Sequence, residues 1–327
     1  MPNRIVTYEE FLNLDQQIDL LKSLGISFRL NYSEDEAKAY LRTSNSFFRI
    51  SSYCDSFEHR RNADGTCTFE NLDFQHLVDL STIDFHLREQ LLHIVIHIEH
   101  HLKLKLKDLL RRYDVDPCAI VKQFSNSGLL HRPLDHLISR ASSSDYSRDI
   151  YAETAPNVPV WVMLDLLQLG ELNSFVAFLR HQDRYKFSEH EKTTLADLDF
   201  ELNSVRSLRN AAAHNSGVLN GLLQKDGKRL SNRIYNELID AKKAGSYLFD
   251  ENELEDSRLS RALKDITTSL FLHHDLVTSP GVKKNMAQKL HVLKLRFGKR
   301  ISYDCGKAVG FSFSFIERSI ELWHPLP

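Results

Sequence analysis

Apolar positions along this chain return mainly at helical spacing. From about Phe74 to Tyr113, Leu77, Leu80, Ile83, Leu87, Leu91, Ile94, Ile98, Leu102, Leu106 and Leu110 recur every three or four residues, the period that keeps one helix face apolar. One long helix, or two abutting ones, is expected there. Upstream, Phe11, Leu12, Ile18, Leu21 and Leu24 mark a helix over Glu9 to Leu24 that stops at Gly25, because glycine accepts positive φ. Ser33 followed by Glu34, Asp35 and Glu36 caps a second helix to about Thr43, with acids at its positive end. Phe47 to Phe57 mixes aromatic and β-branched residues, so helix and strand are hard to separate; helix is preferred. His59 to Gly65 reads as a polar loop with a turn-forming Asp-Gly pair.

Between Val115 and Asn157 the pattern weakens, with a Ser-rich run at Ser142 to Ser147 and prolines at Pro133, Pro156 and Pro159. An excursion containing shorter helices is expected. Trp161 to Leu179 resumes a strongly apolar helical pattern, interrupted at Gly170. A helix from Leu195 to about His214 follows the capping-type run Ser188-Glu189-His190-Glu191 and ends at Asn215-Ser216-Gly217. Asn232 to Lys243 and Leu259 to Leu276 are further helices, whereas Phe311, Phe313 and Phe315 alternate as a strand would. No internal repeat and no low-complexity tract interrupts the chain.

Composition narrows the class. Hydrophobic residues make up 42% and charged residues 26% of the 327, with only 12 Gly and 8 Pro, which excludes a disordered or collagen-like chain. Lys plus Arg number 42 against 44 Asp plus Glu, so any basic surface for nucleic acid must be local. Cys54, Cys67, Cys118 and Cys305 are scattered and form no C-x-x-C pair, which points to a reducing, cytoplasmic setting. The first ten residues lack a signal-peptide core and no apolar run is long enough to span a bilayer, so no membrane association is expected.

Ser204 to Ser216 reads SVRSLRNAAAHNS and carries an R-N-x-x-x-H arrangement at Arg209, Asn210 and His214. At about 100° per residue, Asn210 and His214 lie about 40° apart on a helix, and Arg209 about 140° from His214, a gap that a long guanidinium can cover. Arginine offers phosphate a planar fork of permanent charge, and histidine as a residue type titrates near neutral pH and can move a proton. RNA cleavage by an internal 2′-hydroxyl requires phosphate stabilisation and proton transfer. Ala211 to Ala213 leave a smooth strip that another helix could approach. The same residues also suit a solvated arginine and a histidine that caps the helix C-terminus.

Six blocks in order, QIDLLKSLGISF (Gln17 to Phe28), AYLRTSNSFFRISSYCDSF (Ala39 to Phe57), DFHLR (Asp84 to Arg88), HIVIHIEHHLKLKL (His93 to Leu106), PVWVMLDLLQLGELNSF (Pro159 to Phe175) and LRNAAAHNSGVLN (Leu208 to Asn220), resemble the Abi-like (abortive infection, AbiD/AbiF) family of HEPN-domain proteins over roughly residues 8 to 225. The resemblance implies an all-α fold: a HEPN-type helical bundle with N- and C-terminal helical additions. Its parts are an N-terminal helical region (1–73), a helical core (74–225) with an insertion near 115–157, and a C-terminal accessory region (226–327). It also implies a metal-independent endoribonuclease acting as an abortive-infection toxin in phage defence, without a cofactor. Arg209 would bind phosphate, Asn210 would orient His214 or the scissile phosphate, and His214 would serve as general acid and base. HEPN nucleases typically face two copies of this motif, so a homodimer is implied, and a small noncoding RNA is an implied restraining partner. The alternative is a catalytically silent HEPN module that binds a noncoding RNA or a protein.

Other features admit more than one reading. Where the family pattern often has arginine shortly after the glutamate of the long helix, this chain reads Glu99-His100-His101-Leu102-Lys103. Glu99 could buttress Arg209 or pair with Lys103 at i+4. His93, His97 and His101 have i, i+4 spacing that can suit a metal, but HIVIH is not H-E-x-x-H and no ligand set adjoins it, so partly buried or solvated histidines are expected and a metal hydrolase is the remotest reading. Asp84 and Arg88 read as a stabilising helix pair and Trp161 as core. Lys283, Lys284, Lys289, Lys294, Arg296, Lys299 and Arg300 form an acid-free stretch that suits RNA phosphates, with Phe297 and Tyr303 nearby for stacking. Lys103, Lys105, Lys107, Arg111 and Arg112 fit better as cations at a helix C-terminus.

Overall fold

The structure, a computed structural model, describes residues 6, 10–130, 132–143, 145, 148, 157–225, 229–243, 246–255, 259–300 and 306–326. Among these, thirteen α-helices account for nearly all regular structure, accompanied by short 3-10 turns and two small hairpins. The fold is all-α. The chain forms two compact units, one of Met1–Ile94, Leu208–His274 and Ser279–Pro327, the other of Val95–Ser207 and Asp275–Thr278.

In the first unit, α1 (Leu14–Ser23) begins later than the apolar pattern predicts. Asn13 and Gln16 cap each other reciprocally, fixing the start there and leaving Phe11 outside the helix and fully exposed. Gly25, at φ +82°, ends the turn that follows. Ser33 and Glu36 form the same reciprocal box at the start of α2 (Glu34–Thr43). Next comes α3 (Phe47–Ser52), continued by a 3-10 turn over Tyr53–Ser56. Residues read as a polar loop instead form a hairpin, β1 (His59–Arg61) paired antiparallel with β2 (Cys67–Phe69), and the Asp-Gly pair lies in its turn. The long apolar pattern is one 39-residue helix, α4 (Phe74–Arg112), whose residues up to Ile94 belong to this unit.

The C-terminal part of this unit holds α10 (Asn232–Asp240), a short hairpin of β3 (Lys242–Lys243) and β4 (Ser246–Tyr247), α11 (Arg261–Leu276) up to His274, α12 (Pro280–Arg300) and α13 (Lys307–Trp323). The alternation at Phe311, Phe313 and Phe315 is misleading, because α13 is a helix. Its buried face is wide, taking in Val309, Phe313, Phe315, Ile316, Ile320 and Trp323, so neighbouring positions can both be apolar. Phe313 stacks on Phe297 of α12 with centroids 4.7 Å apart, and Glu58 accepts from the first amides of α13. Phe297 is therefore core, not the exposed stacking ring expected of it, and Tyr303 lies outside the described residues.

The second unit contains the rest of α4, then α5 (Pro117–Ser125), α6 (Leu134–Ser142), α7 (Val160–Leu166), α8 (Leu169–Arg180) and most of α9 (Glu189–Ala213). The break after Trp161 falls at Leu167–Gln168, where Gln168 caps α8 with Glu171, and Gly170 sits inside the helix. Trp161 is 52% exposed, so it is a surface residue and not core. Ser188 and Glu191 cap α9, which starts six residues before the predicted Leu195. Phe124, Phe175 and Phe178 pack together as one of its apolar clusters.

Candidate functional site

The R-N-x-x-x-H residues lie at the C-terminal end of α9, inside the first unit, with Arg209 and Asn210 in the helix and His214 directly after its last residue. After Ala213 the chain turns sharply. The Asn215 amide donates to the carbonyl of Ala212 (3.2 Å) and the Ser216 amide to that of Ala211 (2.8 Å), with Asn215 at φ +55°. This is a Schellman ending, with His214 as the C-cap and asparagine in the left-handed position that usually holds glycine. His214 projects from the helix end as an exposed side chain, and its own amide bonds Asn210 at 3.0 Å. One turn earlier, Arg209 Nη1 donates to Asn210 Oδ1 at 3.2 Å, so the first two members of the motif are joined side by side.

Asparagine at this position does what glycine could not. Its Oδ1 accepts from Arg49 Nη1 of α3 at 3.0 Å and from Arg88 Nη1 of α4, and its backbone carbonyl accepts from Arg49 Nη2. Two arginines from separate helices thus converge on the residue next to His214. Arg88 is itself held by Asp84, one turn earlier on α4, through Nε at 2.7 Å. The other carboxylate oxygen of Asp84 accepts from the amides of Val218 and Leu219, each at 2.7 Å. Asp84 is fully buried; burial pushes its carboxyl up, and the Leu219 amide and the Arg88 guanidinium pull it back down.

The loop is pinned further along by Ser56, which donates to the Leu219 carbonyl (2.7 Å) and accepts from the Leu222 amide (3.2 Å). Tyr53 lies wholly buried beneath Gly217, where an added Cβ would come within 3.2 Å of the phenol oxygen. Burial, with Asp84 close by, pushes the Tyr53 hydroxyl far above its ordinary value. Residues 215–222 are therefore fixed from three segments, and His214 is carried by a rigid mount.

Between α3 and this loop runs a cleft of about 670 Å³. Its walls include Phe48 and Arg49 on one side and His214, Asn215, Asn220 and Gln224 on the other. Arg209 and Asn210, on the preceding turn of α9, are not among the described residues that line it.

The remaining sequence candidates are placed as follows. Glu99 belongs to the second unit and bonds Lys103 at 2.9 Å, the i+4 pairing that competes with any role beside Arg209. The ring of His101 bonds the His97 carbonyl, and among the described residues no three His, Cys, Asp or Glu side chains gather as a metal-holding group. On α12, Lys294 is tied to Glu321 of α13 at 2.5 Å, whereas Lys284 is exposed and Lys283, Lys289 and Arg296 are partly exposed. The side chains of Lys299 and Arg300 lie outside the described residues. Among the described residues no helix is long and apolar enough to cross a membrane.

Sequence reasoning missed Arg49 and understated Asp84 and Arg88. The signal for Arg49 was a single cation inside an otherwise apolar and hydroxylic run, FFRISS, where burial of Phe47, Ile50 and Ser51 fixes the helix face and with it the direction of the side chain. No curated protein and no solved structure matches the chain. A family profile described as Abi-like protein matches residues 39–220, more than half of the chain, and spans Arg49, Asp84, Arg88, Arg209, Asn210, His214 and Asn215. The chain thus belongs to the Abi-like protein family.

Proposed function

We propose that this protein is an abortive-infection effector of phage defence that cleaves RNA by a HEPN-type, metal-independent reaction. The observation that carries this reading is the mount built around one exposed histidine. A buried Asp84–Arg88 pair, together with Arg49, fixes the turn that presents His214, while Arg209 and Asn210 are joined one turn behind it. Rigid support of an exposed titratable group is what proton transfer needs and what a merely solvated histidine does not.

In the proposed reaction His214 accepts the proton of a ribose 2′-hydroxyl as that oxygen attacks the adjacent phosphorus. The 5′-oxygen leaves with a proton donated by the protonated His214 of the second, facing copy, giving a 2′,3′-cyclic phosphate and a 5′-hydroxyl. Arg209 neutralises the charge that grows on the non-bridging oxygens, and Asn210 holds the guanidinium in place. The chain carries one motif, so the reading includes a homodimer in which two motifs share one RNA strand. A small noncoding RNA that restrains the toxin, held in part by Lys283, Lys284, Lys289, Arg296, Lys299 and Arg300 of α12, completes it.

The test is RNA cleavage by purified, RNA-free protein in EDTA, wild type against His214→Ala, with sequencing of the fragment ends. Cutting that persists in EDTA, leaves cyclic phosphate ends and disappears in the variant supports the proposal. Absence of cutting by the wild type, with RNA affinity retained, replaces it with a silent RNA-binding module.

A further inference from the structure

The cleft beside His214 has a composition that phosphate chemistry alone does not require. Phe48 is 63% exposed on its wall, although its neighbours Phe47 and Ile50 on the same short helix are buried. Arg49, the next residue, adds a guanidinium at the same wall, held by its two bonds to Asn215. Opposite stand two amide side chains, Asn220 and Gln224. Gln224 is set in place by a turn in which its backbone amide bonds the Gly221 carbonyl at 2.9 Å. Its side-chain amide lies over Gly221, where a Cβ would meet it at 3.1 Å.

An aromatic face, a guanidinium and two amides on one cleft match the three parts of a single-stranded nucleotide. The ring offers a stacking surface, the cation meets the phosphate, and an amide presents a donor and an acceptor together, as the edge of a base demands. At about 670 Å³ the cleft falls within the roughly 300–1,000 Å³ usual for sites that enclose a small ligand. A paired strand would not fit this use, because its bases are stacked on each other and their edges are occupied. We infer that the cleft is a nucleobase subsite for unpaired RNA: one base stacks on Phe48, its edge is read by Asn220 and Gln224, and its phosphate rests on Arg49. It would place the scissile linkage at His214 and select where the strand is cut. This inference rests on the RNA-cleaving reading above and names the part of the substrate that reading left open.

Binding measured without cleavage tests it. Full-length His214→Ala protein is titrated with a labelled single-stranded oligoribonucleotide and with the same strand carrying abasic residues, in the Phe48, Phe48→Ala and Phe48→Trp backgrounds. Phe48→Ala is expected to weaken binding of the intact strand by about five- to hundredfold, the usual range for loss of one stacked base. Phe48→Trp should retain it, and the abasic strand should bind all three proteins alike. Equal affinity of Phe48→Ala and its parent for the intact strand overturns the subsite while leaving RNA cleavage standing. Failure of every variant, the parent included, to bind RNA removes the RNA reading and the subsite with it.

Discussion

Asp84 and Arg88 stand one helical turn apart on α4 and grip the same downstream loop from different atoms. The carboxylate takes the backbone amides of Val218 and Leu219, and the guanidinium, oriented by that carboxylate, takes the side chain of Asn215. Both residues are buried, so each depends on the other for its charge to be tolerated.

Removing one member of this pair is expected to cost about 3–5 kcal/mol of folding stability, since the survivor remains buried and uncompensated. Urea unfolding of Asp84→Ala, Arg88→Ala and the double variant forms a closed cycle. The double variant should lose clearly less than the sum of the single losses; simple additivity would show that the two side chains act independently.

Asn215 combines a left-handed backbone with a side chain that two arginines need. Glycine relieves the backbone but deletes the acceptor, and alanine fails on both counts. Thermal unfolding should rank wild type above Asn215→Gly, and Asn215→Gly above Asn215→Ala, with steps of about 1 kcal/mol. A glycine variant more stable than wild type would mean that the two arginine bonds to the Asn215 side chain are worth less than the relief of its left-handed backbone.

Arg209 and Asn210 are expected to differ in cleavage assays. If the guanidinium meets the phosphate and the amide only holds it, Arg209→Ala should lower the rate by about a hundredfold or more, while Asn210→Ala should cost nearer tenfold. Circular dichroism should remain unchanged in both, because one side chain is exposed and the other half-buried. Equal losses would assign Asn210 a direct contact with RNA.

Stability should decline in mild acid. Burial, aided by the charges of His274 and Lys283, pushes His324 down to about 3 in the folded protein. In the unfolded chain an imidazole titrates near its ordinary value of about 6.5. Only the unfolded state then takes up this proton as the pH falls below about 6.5, so the contribution is complete above that value and erodes towards about 3. The slope is at most about 1.4 kcal/mol per pH unit. Unfolding midpoints between about pH 7 and pH 5 should fall for wild type and fall less steeply for His324→Gln. Some slope should remain in the variant, because burial lowers His76 in the same direction. A level wild-type profile would contradict the burial of these rings as neutral groups.

On α12, Lys283, Lys284 and Lys289 differ from Lys294, which is engaged with Glu321. Changing the first three to Gln should flatten the dependence of RNA affinity on salt by about 0.7 for each phosphate left without its cation. Lys294→Gln should leave that slope alone. An unchanged slope in the triple variant would take RNA binding away from this face of the helix.

Much of the architecture was legible because helix caps and apolar periodicity are local. Asn215-Ser216-Gly217 marked the end of α9, and the leucine and isoleucine rows marked α4 along its full length. What escaped depends on neighbours distant in sequence. Asp84 and Arg88 have the spacing of a surface helix pair, and nothing within five residues tells that their partners lie more than 125 positions away. The hairpin at residues 59–69 was obscured because its three-residue strands are too short to establish an alternation. In α13, alternating phenylalanines imitate a strand because a broadly buried helix need not confine its apolar residues to one narrow stripe. The motif itself was readable, while its mount was not.

The hold of Asp84 on peptide N–H groups, and not on side chains, bears on how this protein can change over generations. A main-chain anchor at Val218 and Leu219, whose own side chains are buried, is indifferent to what the exposed Asn220 beside them carries, provided the backbone path is kept. Exposed positions such as Asn220 can therefore drift and acquire new recognition chemistry while the histidine stays where it is. Substitution at Asn220 can change the chemistry of the cleft wall without moving the turn that holds His214.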